Sequence, residues 1–240
     1  MYDPLETSVS RTEMMTLLNK CRERKVRVAM IGGWATFFHV NRNYNRAFGK
    51  DYMGSRDIDI FVDVACEKGF SEIIRELGFE PNGLPFRYEK IFDREKNVFI
   101  KNSQIREIFN IIYIFLDVFS NAETRIIGSW SDLEPLKNIR IEIVDGVEVV
   151  DIATLVQMKC VAIFARDKAD KENKDACDLF ALLSYSGKKV QPTLHLRKAI
   201  EKIMGRDDLL YMIAEHVFLD PAKQGLVSSQ LKKFLDANYG

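Results

Sequence analysis

The stretch GGWATFFHVNRNYNRAFGKDYMGSRDIDIFVD runs from Gly32 to Asp63 and follows the apolar run Val26 to Ile31. Val26 to Ile31 reads as a short strand, Gly32-Gly33 as its end, and Trp34 to Val40 as a helix starting at that turn. Asp57 to Val64 alternates and reads as the next strand. Side chains two apart on a strand share a face. Asp57 and Asp59 therefore project together, while Ile58, Ile60 and Val62 bury on the other side. Neighbouring carboxylates repel unless a cation sits between them. Hard oxygen donors suit Mg²⁺, usually held by one or two carboxylates plus substrate phosphates.

A third acid, Asp117, lies inside the most β-like segment of the chain, IIYIFLDVF from Ile111 to Phe119. Burying it without a partner is costly. If this strand lies beside the Asp57–Asp59 strand, three carboxylates converge and could hold two metal ions roughly 4 Å apart, as in phosphoryl transfer. A glycine pair at a strand-to-helix turn lets backbone N–H groups approach phosphate oxygens. Ser55 could add a hydroxyl. Each piece also has a plainer reading: the glycines as a turn, the acids as solvated, Ser55 as a turn residue, and Asp117 paired with a buried arginine. The combination is more specific than its parts, because each piece sits on the element its role requires.

With Lys+Arg and Asp+Glu both at 35, net charge points to no nucleic-acid partner, and any basic surface must be local. The four cysteines, Cys21, Cys66, Cys160 and Cys177, are scattered and fit a reducing compartment better than a disulfide framework or zinc site. The start MYDPLETSVSRTEMM lacks a basic region followed by an apolar one, so no signal peptide is expected. No apolar run approaches the roughly 20 residues of a membrane span. A cytoplasmic location and no membrane partner are expected.

Ser10-Arg11-Thr12-Glu13 has capping-box spacing and predicts a helix over residues 11–24. Further strands are expected over residues 86–92 and 98–101, and a hairpin over 139–150 turning at Asp145-Gly146. After Asp151 the chain reads as helices, over residues 152–166, 174–186, 193–204, 207–218 and 227–238. The chain thus divides into an α/β half, residues 1–150, and an all-helical half, residues 151–240.

The first helix of the second half carries Lys159 and Arg166, two turns apart on one face. The next carries Asp175, Asp178 and Leu182 on one face. Two cations facing two acids make either a structural salt-bridge seam or a site where Lys159 points at a triphosphate. Between the glycines and the acids, Arg42, Arg46 and Lys50 recur every four residues, as do Tyr44, Phe48 and Tyr52. On a helix these form a basic and an aromatic stripe on different faces. Trp34 reads as packing, and His39 as a helix-surface residue. No Ser/His/Asp or Cys/His set is arranged for nucleophilic hydrolysis.

In order, Ile31-Gly32-Gly33, Asp57-Ile58-Asp59 and Asp117 resemble the signature of the polymerase-β-like nucleotidyltransferase superfamily. Adding the pattern MKxxAxxxR at Met158 to Arg166 and KDxxDLxxLL from Lys174, the chain resembles the AbiEii-like nucleotidyltransferases, which include toxins of the AbiE and MenT type. The likeness spans residues 26–64 and 148–186. It implies an α+β fold, a nucleotidyltransferase-type mixed sheet with flanking helices followed by an all-helical C-terminal region. It implies Asp57, Asp59 and Asp117 as metal ligands and catalytic acids, and Lys159 and Asp178 as further catalytic residues, with Asp175 less defined. Gly32, Gly33, Ser55, Lys159 and Arg166 are the nucleotide-binding set. The expected activity is Mg²⁺-dependent transfer of NMP from an NTP to a hydroxyl on RNA or a tRNA end, a protein or a small molecule, with two ions and an antitoxin partner in a toxin-like setting. The "GGWA…RDIDI" pattern is also similar to antibiotic nucleotidyltransferases. The competing class is a non-catalytic nucleotide- or RNA-binding protein of the same fold.

Overall fold

The computed structural model describes residues 3–84, 86–105, 107–122, 139–165 and 169–239. The chain forms two compact units. One comprises Met1–Trp34 and Gly54–Val150; the other takes in Asp151–Gly240 and also Ala35–Met53.

Among the described residues, the first unit is built on an eight-stranded mixed sheet. Its strands are β1 (Val28–Met30), β2 (Ile58–Val62), β3 (Glu80–Pro81), β4 (Arg87–Asp93), β5 (Val98–Ile100), β6 (Ile111–Phe119), β7 (Ile141–Val144) and β8 (Val147–Val150). The order is β3-β4-β6-β2-β1-β8-β7, with β5 also on β4. β2 runs parallel to β6, and β1 parallel to β8; the other pairings are antiparallel. The β7–β8 hairpin turns at Asp145 and Gly146, both at positive φ, as the sequence predicts. Ile58, Ile60, Ile112, Ile114, Leu116 and Val118 are buried and form the middle of the core.

Helix α1 spans Pro4–Glu23, starting well before the expected residue 11. Asp3 caps it by accepting from the Leu5 N–H at 2.8 Å, and Pro4 sits in the first turn, where a missing N–H costs nothing. Ser10 and Glu13 are therefore interior positions of the helix, not its cap. Ser10 Oγ accepts from buried Trp34 Nε1 at 3.1 Å, which settles Trp34 as a packing residue, and Glu13 pairs with Lys90. Helix α3 (Glu67–Glu76) completes this unit, with Phe70, Ile73 and Ile74 buried along one stripe.

Helix α2 (Gly32–Phe48) is longer than the residues 34–40 expected. Gly49, at φ +70°, ends it by donating its N–H to Asn45 O at 2.8 Å. Its later turns belong to the helical unit, with α4 (Ile152–Ala165), α5 (Ala169–Tyr185), α6 (Leu194–Met204), α7 (Asp207–His216) and α8 (Gln224–Tyr239). Tyr44 donates its hydroxyl to Val217 O at 2.9 Å, and Asn43 Nδ2 donates to Tyr185 O at 2.9 Å. Tyr44, Phe48, Tyr52, Tyr185, Phe180 and Phe218 make a chain of edge-on and tilted ring contacts. That aromatic stripe faces inward, and Arg42, Arg46 and Lys50 are exposed, as the helical spacing implies. Lys50 and Tyr52 lie beyond the helix end. His39 is buried, not on the surface: Phe37, Phe38 and Val40 around it are also buried, so this part of α2 is covered on all sides. Among the described residues no helix is long and apolar enough to cross a membrane.

Candidate active site

The acids of the first unit meet on two neighbouring strands, and an arginine on a third extends the row. Asp59 on β2 pairs in register with Asp117 on β6, and Asp117 with Arg87 on β4. Asp57 lies one residue before β2, on the same face as Asp59. Strand β2 buries Ile58, Ile60 and Val62 on one face, which puts the acids on the other, together with buried Phe61. The condition set by the sequence, that the Asp117 strand lie beside the acid strand, is met by the parallel β2–β6 pairing.

The glycine turn lies against this row. Ile31 donates its N–H to Asp59 O at 3.0 Å, continuing the β1–β2 ladder to the edge of the turn. Gly32 follows at φ +63°, a conformation L side chains rarely adopt. A Cβ built on Gly32 would fall 2.0 Å from Asp59 Oδ2. Only a glycine leaves room for the carboxylate there. The first turn of α2 carries no acidic residue of its own, so the helix dipole there favours an anion, and Asp59 already brings its carboxylate against Gly32. Ser55 is buried in the irregular run leading into β2.

Two arginines join the acids, and sequence reasoning named neither. Arg87 Nε and Nη2 donate to the two oxygens of Asp117, both at 2.6 Å, a bidentate fork. Its guanidinium lies 4.9 Å from the Phe115 ring centroid and 5.8 Å from that of Phe86. The hydrogen bonds to Asp117 raise the Arg87 pKa against the opposing effect of burial, and the Asp117, Asp57 and Asp59 charges raise it further. Arg56 Nε lies 3.4 Å from Asp57 Oδ1. The plainer reading of Asp117, a partner for a buried arginine, is thus realised together with the row of acids. The sequence carries no local signal for this pair, because Arg87 and Asp117 meet only through the β4–β6 register.

Asp57 and Asp59 are hard oxygen donors on one face of β2 and so fit a divalent cation such as Mg²⁺. Asp117 can add a third carboxylate in competition with Arg87, which holds both of its oxygens. Among the described residues no three His, Cys, Asp or Glu side chains stand grouped for a metal.

The second set lies in the helical unit. Lys159 on α4 donates at 2.7 Å to Asp175 Oδ1 and at 2.7 Å to Asp178 Oδ2, both on α5. Asp178 Oδ1 also accepts from Lys174 and, at 3.0 Å, from the Tyr52 hydroxyl. Lys159 is 6% exposed and Asp178 0%. Burial alone would lower the Lys159 pKa; the charges of Asp175 and Asp178 and their hydrogen bonds raise it above the ordinary lysine value instead. Burial, then the Asp178 charge, pushes the Tyr52 hydroxyl well up. The contacts are those of a salt-bridge seam: the Lys159 ammonium is held by two carboxylates and shielded from solvent. Arg166 lies outside the described residues. Asp151 caps α4, accepting from the Ala153 and Thr154 N–H groups at 3.0 and 3.2 Å.

No protein-family model and no curated protein matches the chain. Among solved structures it is similar to an antigenic nucleotidyltransferase-like protein from Paracoccidioides brasiliensis, at 15% identity over 85% of this chain and 91% of that one, with a TM-score of 0.49. It is similar to JHP933 from Helicobacter pylori, at 11% identity over 99% of this chain and 96% of that one, with a TM-score of 0.49. It is also similar to the lincomycin-bound lincosamide antibiotic adenylyltransferase LnuA, at 14% identity, 72% and 96% coverage and a TM-score of 0.42. At these scores the chemistry rests on the chain's own residues.

Proposed function

We propose that the protein is a metal-dependent nucleotidyltransferase that moves NMP from an NTP to an acceptor hydroxyl. The observation that carries this reading is the meeting of Gly32, Asp59 and Asp117 in one place from three separate segments of the chain. The Gly32 and Gly33 N–H groups would donate to phosphate oxygens at the start of α2. Asp57 and Asp59 would hold Mg²⁺, two ions when Asp117 joins, which when bound neutralises the triphosphate and polarises the α-phosphate. Asp117 would deprotonate or orient the acceptor hydroxyl; the hydroxyl's oxygen bonds to the α-phosphorus as the bond from the α-phosphorus to the bridging β-phosphate oxygen breaks and pyrophosphate leaves. Ser55 remains a proposed phosphate contact. Lys159 and Asp178 enter as the frame of the helical unit, with Tyr52, five residues before Asp57, tied to Asp178. The AbiEii-like assignment, a toxin-like role, an antitoxin partner and a cytoplasmic location belong to this proposal.

Incubation with labelled NTPs, Mg²⁺ and total RNA, with protein labelling followed in parallel, tests the activity and reads out the acceptor. Asp57→Asn or Asp59→Asn should abolish transfer and weaken NTP binding. Without metal, the stability of these variants should stay within about 1 kcal/mol of wild type, because Arg56 and Arg87 already offset much of the carboxylate repulsion. A variant keeping most of its turnover would sink the metal assignment. The second reading, a nucleotide- or RNA-binding protein without turnover, is favoured by the Arg87 fork that occupies both oxygens of Asp117. Nucleotide binding without product formation would select it.

For the acceptor, the exposed Arg42, Arg46 and Lys50 favour RNA among the three classes. Arg42→Ala with Arg46→Ala should weaken binding of labelled tRNA and flatten its salt dependence, with nucleotide affinity little changed. Fluorescence anisotropy at two salt concentrations measures this. Unchanged affinity and slope would move the choice to a protein or small-molecule acceptor.

A further inference from the structure

We propose that Arg87 is the site's resident counter-cation: it holds Asp117 in reserve and competes with a divalent ion for that carboxylate. The proposal rests on the nucleotidyltransferase reading and adds to it a residue which sets how readily the metal site fills.

Three observations support it. First, the fork engages both Asp117 oxygens at 2.6 Å, so no oxygen of the third acid is left uncontested by a cation. Second, Arg87 is directly opposite Asp117 in the β4–β6 register, and Asp117 is directly opposite Asp59. The cation therefore lies at the end of the acid row, and its charge is felt by Asp57 and Asp59 as well as by its partner. Third, Arg87 lies beside the rings of Phe115 and Phe86, which hold the guanidinium while leaving its donors directed to the carboxylate.

The consequence is electrostatic. Three carboxylates with the Arg87 and Arg56 guanidiniums carry a net charge of one negative; without Arg87 they carry two. A divalent ion that recruits Asp117 beside Asp57 and Asp59 must compete with a bidentate ion pair, and the cost is offset when a polyanion arrives to receive the guanidinium. Arg87 thereby couples metal loading to nucleotide binding: metal alone binds weakly, and metal with triphosphate binds together.

The test measures Mn²⁺ binding by calorimetry in the absence of nucleotide, so that no turnover is involved. Arg87→Gln should tighten Mn²⁺ binding by roughly tenfold, the scale on which removal of one opposing charge within a few ångströms acts in a partly wet site. In an Asp117→Asn background the same substitution should give a clearly smaller gain, that of the charge felt through Asp57 and Asp59 alone, because the carboxylate in dispute is gone. An equal gain in both backgrounds, or no gain in either, would overturn the proposal. Asp57→Asn is the control: if it weakens Mn²⁺ binding while Arg87→Gln changes nothing, the Arg87 proposal alone falls. If Asp57→Asn binds Mn²⁺ as wild type does, the metal reading falls and takes this proposal with it. Should Arg87→Gln fail to fold, Arg87→Lys serves: it keeps the charge but loses the fork, and should give a smaller gain, with no gain counting against the proposal.

Discussion

Gly32→Ala should abolish nucleotide transfer, with a loss of about 100-fold or more, the scale on which a displacement near 1 Å acts in a positioned site. Two effects act together. The residue stands at φ +63°, where a side chain costs about 1–2 kcal/mol. Its Cβ would also fall 2.0 Å from Asp59 Oδ2 and 2.8 Å from Asp59 Cβ, so the carboxylate or the turn must move. Gly49 separates the two effects. It stands at φ +70° with nothing within 4 Å of an added Cβ, so Gly49→Ala carries the backbone strain without the clash. Titration with a fluorescent NTP analogue, beside thermal melting of both variants, gives the comparison. Gly49→Ala should lose stability and keep nucleotide affinity; Gly32→Ala should lose both. A Gly32→Ala protein that binds and transfers like wild type would remove the glycine turn from the site.

The acid row was legible because its chemistry is local in sequence. Alternation of Asp57-Ile58-Asp59 states which face each residue takes, and an Asp inside IIYIFLDVF states that a partner must be found. The β6 boundaries, Ile111–Phe119, follow from that run alone. What the sequence does not state is pairing across distance. Nothing near Asp117 marks Arg87, because the contact is made by an antiparallel register between residues thirty apart. The same reason hid the role of Ser10: its spacing to Glu13 imitates a cap, while its real partner is Trp34, on another helix. At α1 a second capping residue, Asp3, won over the capping box because proline follows it.

The extended α2 shows another limit. Arg42, Asn43, Asn45 and Arg46 make its later turns look like loop, and the aromatic residues at 44, 48 and 52 are the only apolar signal. Their burial comes from rings more than a hundred residues away, Tyr185 and Phe218 among them. Tertiary packing decides such a helix more than its own propensity does. The spacing of its stripes was right, and the helix stops at Phe48 because Gly49 supplies the left-handed cap.

Asp178→Ala should be the most damaging single change in the helical unit, costing about 3–5 kcal/mol, the usual effect of leaving a buried charge without its partner. Asp178 is 0% exposed and accepts from Lys159, Lys174 and the Tyr52 hydroxyl. With Asp175, the two lysines and two acids are neutral together; removing one acid leaves a net positive charge in a closed interior. In a chain of this size each kcal/mol moves the melting temperature by about 2–4 °C, so a fall of roughly 10 °C is expected. The pH dependence follows from the same contacts. Lys159 and Tyr52 both have pKa values raised above their ordinary 10.5 and 10.0 in the folded state. Their contribution is fully present below those ordinary values and is lost as pH rises beyond them, because the unfolded chain releases protons the folded one still holds. Melting at neutral pH and up to pH 11 should show wild type holding to about pH 9 and weakening above pH 10, with Asp178→Ala already low at neutral pH and losing less as the pH rises. If Lys159 instead served a triphosphate, Lys159→Ala would keep its stability and lose nucleotide affinity. Large stability losses in both variants, with the nucleotide affinity of the remaining folded protein unchanged, are what the seam requires.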